Sequence, residues 1–211
     1  MLKTKPNQSV GLIALLGFPL LLVGCAAEPA PEAFEPNLVQ TMKYQIARDL
    51  PMDQSSVDSS WVVTTMFGTP DQPRLPEVVV QDPDLSQVVS MDHLMRASGP
   101  EYAEGRGLFR LLCASCHGVT GNGRGPSAAA QTPYPRDYRM GIFKFKSTPR
   151  GALPTKDDLK RLIKYGIAGT NMQDVQKLLE VEGLARGPAA AAWLPESISD
   201  EDVDALVDYV I

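Results

Sequence analysis

Two thiols and an imidazole stand within five positions of this chain, in Cys113-Ala114-Ser115-Cys116-His117. Residues of these types at this spacing serve three chemistries: a redox dithiol, part of a metal site, or covalent attachment of haem. A redox dithiol follows a strand and opens a helix, yet Leu108, Phe109, Leu112 and Cys116 recur at helical spacing with no strand pattern before them. A structural zinc site needs four ligands, and apart from the motif only His93 and carboxylates are at hand. Covalent haem fits the spacing itself. Residues i and i+3 of one helical turn present both sulfurs on the same side, so Cys113 and Cys116 can add to the two vinyl groups along one haem edge while His117 turns its ring under the iron.

The group on the iron's other face decides whether such a haem carries electrons or binds and activates small molecules. A methionine there closes the iron and raises its potential. Of the eight methionines, Met172 ends the stretch "YGIAGTNM", and Met140 is the next candidate. Met172, Val175, Leu178 and Leu179 also share the spacing of a buried helical face, where a methionine would only pack. His93 as the sixth ligand would give a bis-histidine iron of lower potential; otherwise it is a surface or interface residue. An open sixth position would make the protein a haem enzyme or a gas-binding sensor.

The chain's beginning sets the compartment. Lys3 and Lys5 precede an uncharged, mostly apolar run from Val10 to Val23, which Pro19 interrupts. The run is short for a membrane span and suits an export signal. Leu22-Val23-Gly24-Cys25 resembles the lipobox of bacterial lipoproteins, a family in which the cysteine is acylated and becomes the mature N-terminus. That resemblance implies a signal peptide over residues 1–24 and a lipid anchor at Cys25, holding the chain to a bacterial membrane and facing the periplasm or the outside. Cys113 and Cys116 are then the sole cysteines left, in a compartment where idle thiols are unusual.

Several elements must position these groups. Residues 25–37, rich in Pro, Ala and Glu, read as a stiff tether. Residues 38–98 form an irregular N-terminal extension with short helices at Leu38, Met42, Ile46 and at Leu85, Val88, Val89. The main domain runs from 99 to 211. Its first helix carries the motif and stops at Gly118, and residues 121–141 are a long loop of glycine, proline and polar side chains. A helix capped by Thr155 and Asp158 ends at Gly166, and a final helix capped by Ser199 carries Val203, Leu206, Val207 and Val210 on one face. Helices joined by such loops make a poor core alone, so something bulky and apolar belongs in the middle. The expected class is all-α.

The formal charge of −5 is unevenly spread. Residues 101–170 hold 12 basic and 5 acidic side chains, whereas residues 171–211 hold 2 and 9. The basic residues form no dense cluster, which excludes a nucleic-acid groove. They either balance charge within the fold or make a docking face for redox partner proteins.

Taken in order, "GLFRLLCASCHG", "GNGRGP", "PYPRDYRMGIFKFKST", "GIAGTNM" and "SDEDVDALVDYV" resemble a monohaem class I cytochrome c of the kind found as lipoproteins and as subunits of respiratory complexes. The resemblance covers about residues 99–211. It implies one covalent haem c bound by Cys113 and Cys116, with axial ligands His117 and Met172. It makes the Pro126 carbonyl the group that orients the His117 ring, and it gives the protein the work of a one-electron carrier and no bond chemistry. Two departures stand out: Gln173 follows Met172 where the family commonly has proline, and the stretch from Gln173 to Glu196 is longer than the family's usual connection.

Overall fold

A computed structural model describes residues 29–100, 105–186 and 194–211. The signal segment and Cys25 lie outside the described residues. The described residues form helices and loops with no strand; one isolated bridge joins Gly68 to Pro73. The helices are α1 (Leu38–Arg48), α2 (Asp53–Phe67), α3 (Glu77–Gln81), α4 (Met91–Ala97), α5 (Leu108–Leu112), α6 (Ala114–His117), α7 (Lys156–Tyr165), α8 (Val175–Arg186) and α9 (Asp200–Val210). The all-α class is therefore met, and the extension expected to be irregular is largely helical.

Each long helix of the main domain begins where its sequence provides a cap. Thr155 and Asp158 form a reciprocal capping box at the start of α7, and Ser199 and Asp202 form another at α9. Each box satisfies two backbone donors that the first turn would leave free. Leu108, Leu111, Leu206 and Val203 are almost wholly buried, so α5 and α9 share the centre of the core. There the Phe109 ring tilts against that of Tyr209, with centroids 5.0 Å apart.

The segment before residue 99 takes part in this core. Helix α4 makes its main packing contact with α9 and buries Ala97 completely. Arg96 binds Asp202 at 2.6 Å, and His93 Nδ1 lies 2.7 Å from Asp208. Further back, the loop before α3 is tied down twice: Asp71 forms a buried pair with Arg110 of α5 at 2.7 Å, and the Tyr209 hydroxyl donates to the Pro70 carbonyl at 2.6 Å.

Residues 29–37, expected to be a free tether, lie on the domain instead. Arg110 donates to the Pro29 carbonyl, Arg139 to that of Pro36, and Glu35 accepts from Thr120. Their backbone acceptors find better partners in the guanidinium groups beside them than a proline-rich spacer finds in its own chain.

The uneven charge has a structural resolution. Lys156, Lys160 and Lys164 stand four residues apart on α7, and Asp208, Asp204 and Asp200 stand four apart in the reverse order on α9. The two helices run antiparallel, so the three pairs close as rungs at 2.6, 2.6 and 2.5 Å. Three of the twelve basic residues of the run are thus balanced by the acidic tail that follows it. Solvent screens such pairs, so each adds little stability alone, but together they set the register of α7 on α9.

Candidate haem site

The cysteine motif straddles two short helices. α5 ends at Leu112, Cys113 caps α6, and Gly118 stops α6 with a positive φ. Both cysteines are free thiols and face a cavity of about 240 Å3. Burial, reinforced by the neighbouring Cys116, pushes the Cys113 thiol up to about 12, so it stays protonated at neutral pH. A redox dithiol needs a thiolate, and Cys113 is not poised to supply one.

His117 points into the same cavity with its tautomer set. Its Nδ1 lies 3.1 Å from the Arg136 carbonyl and donates to it, which leaves Nε2 as the acceptor nitrogen. Burial also pulls the imidazole below its ordinary range, favouring the neutral, ligating form.

Pro126 was expected to supply that carbonyl, and it does not. The loop around it is fastened to the backbone of the motif: Gly125 N–H donates to Cys116 and Ser127 N–H to Ser115. Gly125 lies so close to α6 that a Cβ there would come within 2.4 Å of the Ala114 and Ser115 carbonyls. This places Pro126 outward and exposed. Meanwhile Tyr138 N–H bonds the Gly121 carbonyl, which draws residues 136–138 across the ring and delivers the Arg136 carbonyl to Nδ1.

Met172 lines the cavity with Cys113, Cys116 and His117. It does not belong to the helical face that its spacing allowed, because α8 starts only at Val175. It sits in a tight turn in which its N–H bonds the Thr170 hydroxyl and its carbonyl accepts from Ile167. Gly166 is required beneath that turn, since a Cβ there would come within 2.4 Å of the Met172 carbonyl. Met140 lies half-exposed and off the cavity wall, and His93 is engaged with Asp208 away from it.

The remaining wall is largely apolar: Phe143, Leu159, Ile163, Leu178 and Leu206 contribute from four parts of the chain. Phe143 and Phe145 both line it, and so does Lys144 between them. Among the basic residues of this segment, Arg136 and Lys144 are on the wall, whereas Arg139 pairs with Asp137 and Lys146 binds the Thr148 carbonyl. The residues that sequence reasoning missed are Tyr138 and Gln131. The Tyr138 ring stacks on His117 at 4.5 Å and its hydroxyl lies 2.9 Å from Nε2. Gln131 Oε1 is buried on the wall without a partner. No signal in the sequence marks either residue, since each acts through neighbours brought in by the fold.

Residues 102–211, more than half the chain, match the family described as cytochrome c. The chain belongs to the cytochrome c family. Membership implies covalently bound haem c and haem-based electron transfer, and the donor set of this cytochrome fits that group. Two thiols, a ligating histidine tautomer and a methionine share one apolar wall, and a buried amide oxygen on it is left without a protein partner. Iron at Nε2 requires the Tyr138 hydroxyl to turn away from it. Among solved structures, the cytochrome is similar to a chain of the "Kuenenia stuttgartiensis reducing HAO-like protein complex Kustc0457/Kustc0458", at 28% identity and a TM-score of 0.39. That match covers 52% of this chain and 41% of the other. No curated protein sequence matches the cytochrome.

Proposed function

We propose that the protein is a monohaem class I cytochrome c, exported and lipid-anchored at Cys25, that carries single electrons between redox partners at a bacterial membrane. The observation that carries this reading is the placement of Met172 beside Cys113, Cys116 and His117 in one cavity. The bound haem supplies the Fe(III)/Fe(II) couple. The chain's own residues do the rest: Cys113 and Cys116 hold the group covalently, His117 and Met172 ligate its iron, and the Arg136 carbonyl fixes the imidazole by holding its Nδ1 proton. Leu159, Ile163 and Leu206 exclude water, which favours the less charged iron state and raises the potential. Arg136 and Lys144 offset propionate charge at the rim and offer a docking contact to an acidic partner. On this reading the protein is a carrier and not an enzyme.

Optical spectra of the exported protein test this reading. The reduced wild-type chain is expected to resist carbon monoxide, and a Met172→Ala variant is expected to bind it. Ready binding to the wild type would replace the carrier with a gas-binding or catalytic haem protein.

A further inference from the structure

The α1–α2 hairpin is built with its polarity reversed. In a helical hairpin of a soluble domain the apolar stripes meet in the seam, but here the seam is polar. Thr41 bonds Ser56, and Gln45 bonds Asp53, each at 3.3 Å. The serine and threonine side of α2 continues inward to the chain before α1, where the Ser60 hydroxyl donates to the Phe34 carbonyl and Phe34 N–H to Thr64. Tyr44, Val63 and Phe67 face the domain, but one apolar stripe on each helix is turned out. Leu38, Met42 and Ile46 recur every four residues along α1 and are 63%, 59% and 81% exposed. Val57 and Trp61 recur at the same spacing on α2 and are 58% and 67% exposed. The seam contacts pair decreasing numbers on α1 with increasing numbers on α2, so the helices are antiparallel. Each stripe is rotated in the same sense from the seam, and both therefore lie on one face. Neither helix buries a single residue.

We infer that this outer face of the α1–α2 hairpin rests on the lipid bilayer as a second, non-covalent membrane contact beside the acylated Cys25. The inference rests on the lipoprotein reading for its geometry. Pro29 is already bonded to the domain through Arg110, and it stands only four chain steps beyond Cys25. Fully extended, they reach about 14 Å, so an acylated Cys25 leaves the domain no room to stand away from the membrane. The first apolar stripe starts at Leu38, nine residues beyond Pro29. An amphipathic helix in such a position lies in the interface with its apolar side sunk into the acyl boundary, and a tryptophan such as Trp61 is at home at that depth. No helix among the described residues is long and apolar enough to cross a membrane, so the contact is with one leaflet. The hairpin carries Lys43 and Arg48 against Asp49, Asp53 and Asp58, a near balance that makes the contact apolar and independent of anionic lipid. The acyl group supplies attachment, and the hairpin supplies a fixed orientation of the domain on the surface.

The test uses the haem-loaded chain from residue 26 onward, exported behind a signal that is not acylated, with vesicles of phosphatidylcholine alone. The chain is expected to sediment with the vesicles to the same extent at low and high salt. A Met42→Glu/Ile46→Glu variant, whose haem spectrum and melting are expected to stay unchanged because both residues are exposed, is expected to bind at least tenfold less. A wild-type chain that stays in the supernatant overturns the inference, as does binding that the double variant leaves unchanged. A concentration-dependent dimer in ultracentrifugation, abolished by Ile46→Glu, would also overturn it by assigning the face to a second copy. Acylation is measured separately, as incorporation of labelled palmitate at Cys25, so the anchor can fail while the hairpin contact stands, or the reverse.

Discussion

The Tyr138 hydroxyl lies 2.9 Å from Nε2 of His117, and its ring stacks on the imidazole at 21° between planes. One side chain therefore both supports the proximal ligand and occupies the nitrogen that iron requires. The stack can persist when the hydrogen bond is given up, because the first needs the ring and the second only its oxygen. Tyr138→Phe is expected to leave the ligand spectrum of the loaded protein unchanged. Tyr138→Ala removes the stacks on His117 and Phe143 and is expected to cost about 2 kcal/mol in denaturant unfolding.

Gly166 has φ +68° and a Cβ position within 2.4 Å of the Met172 carbonyl. Gly166→Ala is strained on both counts, at a cost of more than about 1 kcal/mol. Since the strain falls on the turn that presents Met172, the variant is expected to lose part of its methionine-ligated spectrum and to gain carbon monoxide binding. An alanine within α7 itself, such as Lys164→Ala, is expected to do neither.

Asp158 closes the capping box of α7 and also accepts from the backbone N–H and hydroxyl of Ser147. The Ser147 backbone bond first, then those from Thr155, hold its carboxyl down at about 2. A carboxylate whose pKa is lowered on folding stabilises fully above its unfolded value near 4 and loses that contribution as pH falls through the folded value. The melting temperature is expected to drop between about pH 4 and pH 2, and Asp158→Asn is expected to start lower at neutral pH and flatten that limb.

Asp71 and Arg110 form a pair with side chains only 5% and 9% exposed. Removing one partner strands a buried charge, so Asp71→Ala is expected to cost about 3 kcal/mol. The loss is expected in urea unfolding of the full chain, with no change in the haem spectrum, because the pair fastens the extension behind α5 and lies off the haem wall.

A fragment restricted to residues 102–211, the part that matches the family, lacks α4 and the loop bearing Asp71. It uncovers the α9 surface that α4 protects. It is expected to melt well below the full chain and to expose that surface to amide exchange at Val203 and Leu206.

Much of the fold was legible because its signals are local. Thr155 with Asp158 and Ser199 mark helix starts at their true positions, since a cap is a contact between residues three apart. The Cys113, Cys116 and His117 trio is legible for the same reason. Met172 was legible as a candidate, but its spacing with Val175 and Leu178 allowed a helical position that the Thr170 and Ile167 bonds exclude. Pro126 misled because the identity of the carbonyl at Nδ1 depends on two loops meeting over the ring, and residues 136–138 reach it through a bond to Gly121. The tether misled because composition describes how a free chain behaves, not whether guanidinium groups such as Arg110 and Arg139 wait beside it.

By itself the sequence determined what depends on neighbours along the chain: the attachment motif, the helix caps, the apolar faces and the all-α class. Only the tertiary structure decided which distant groups meet. It set the Arg136 carbonyl on His117, Tyr138 against Nε2, three lysines of α7 on three aspartates of α9, and an extension that turns its apolar side outward. The physical reason is range. Spacing and capping act within a turn or two, whereas these contacts join residues far apart in the chain and exist only once the core has packed.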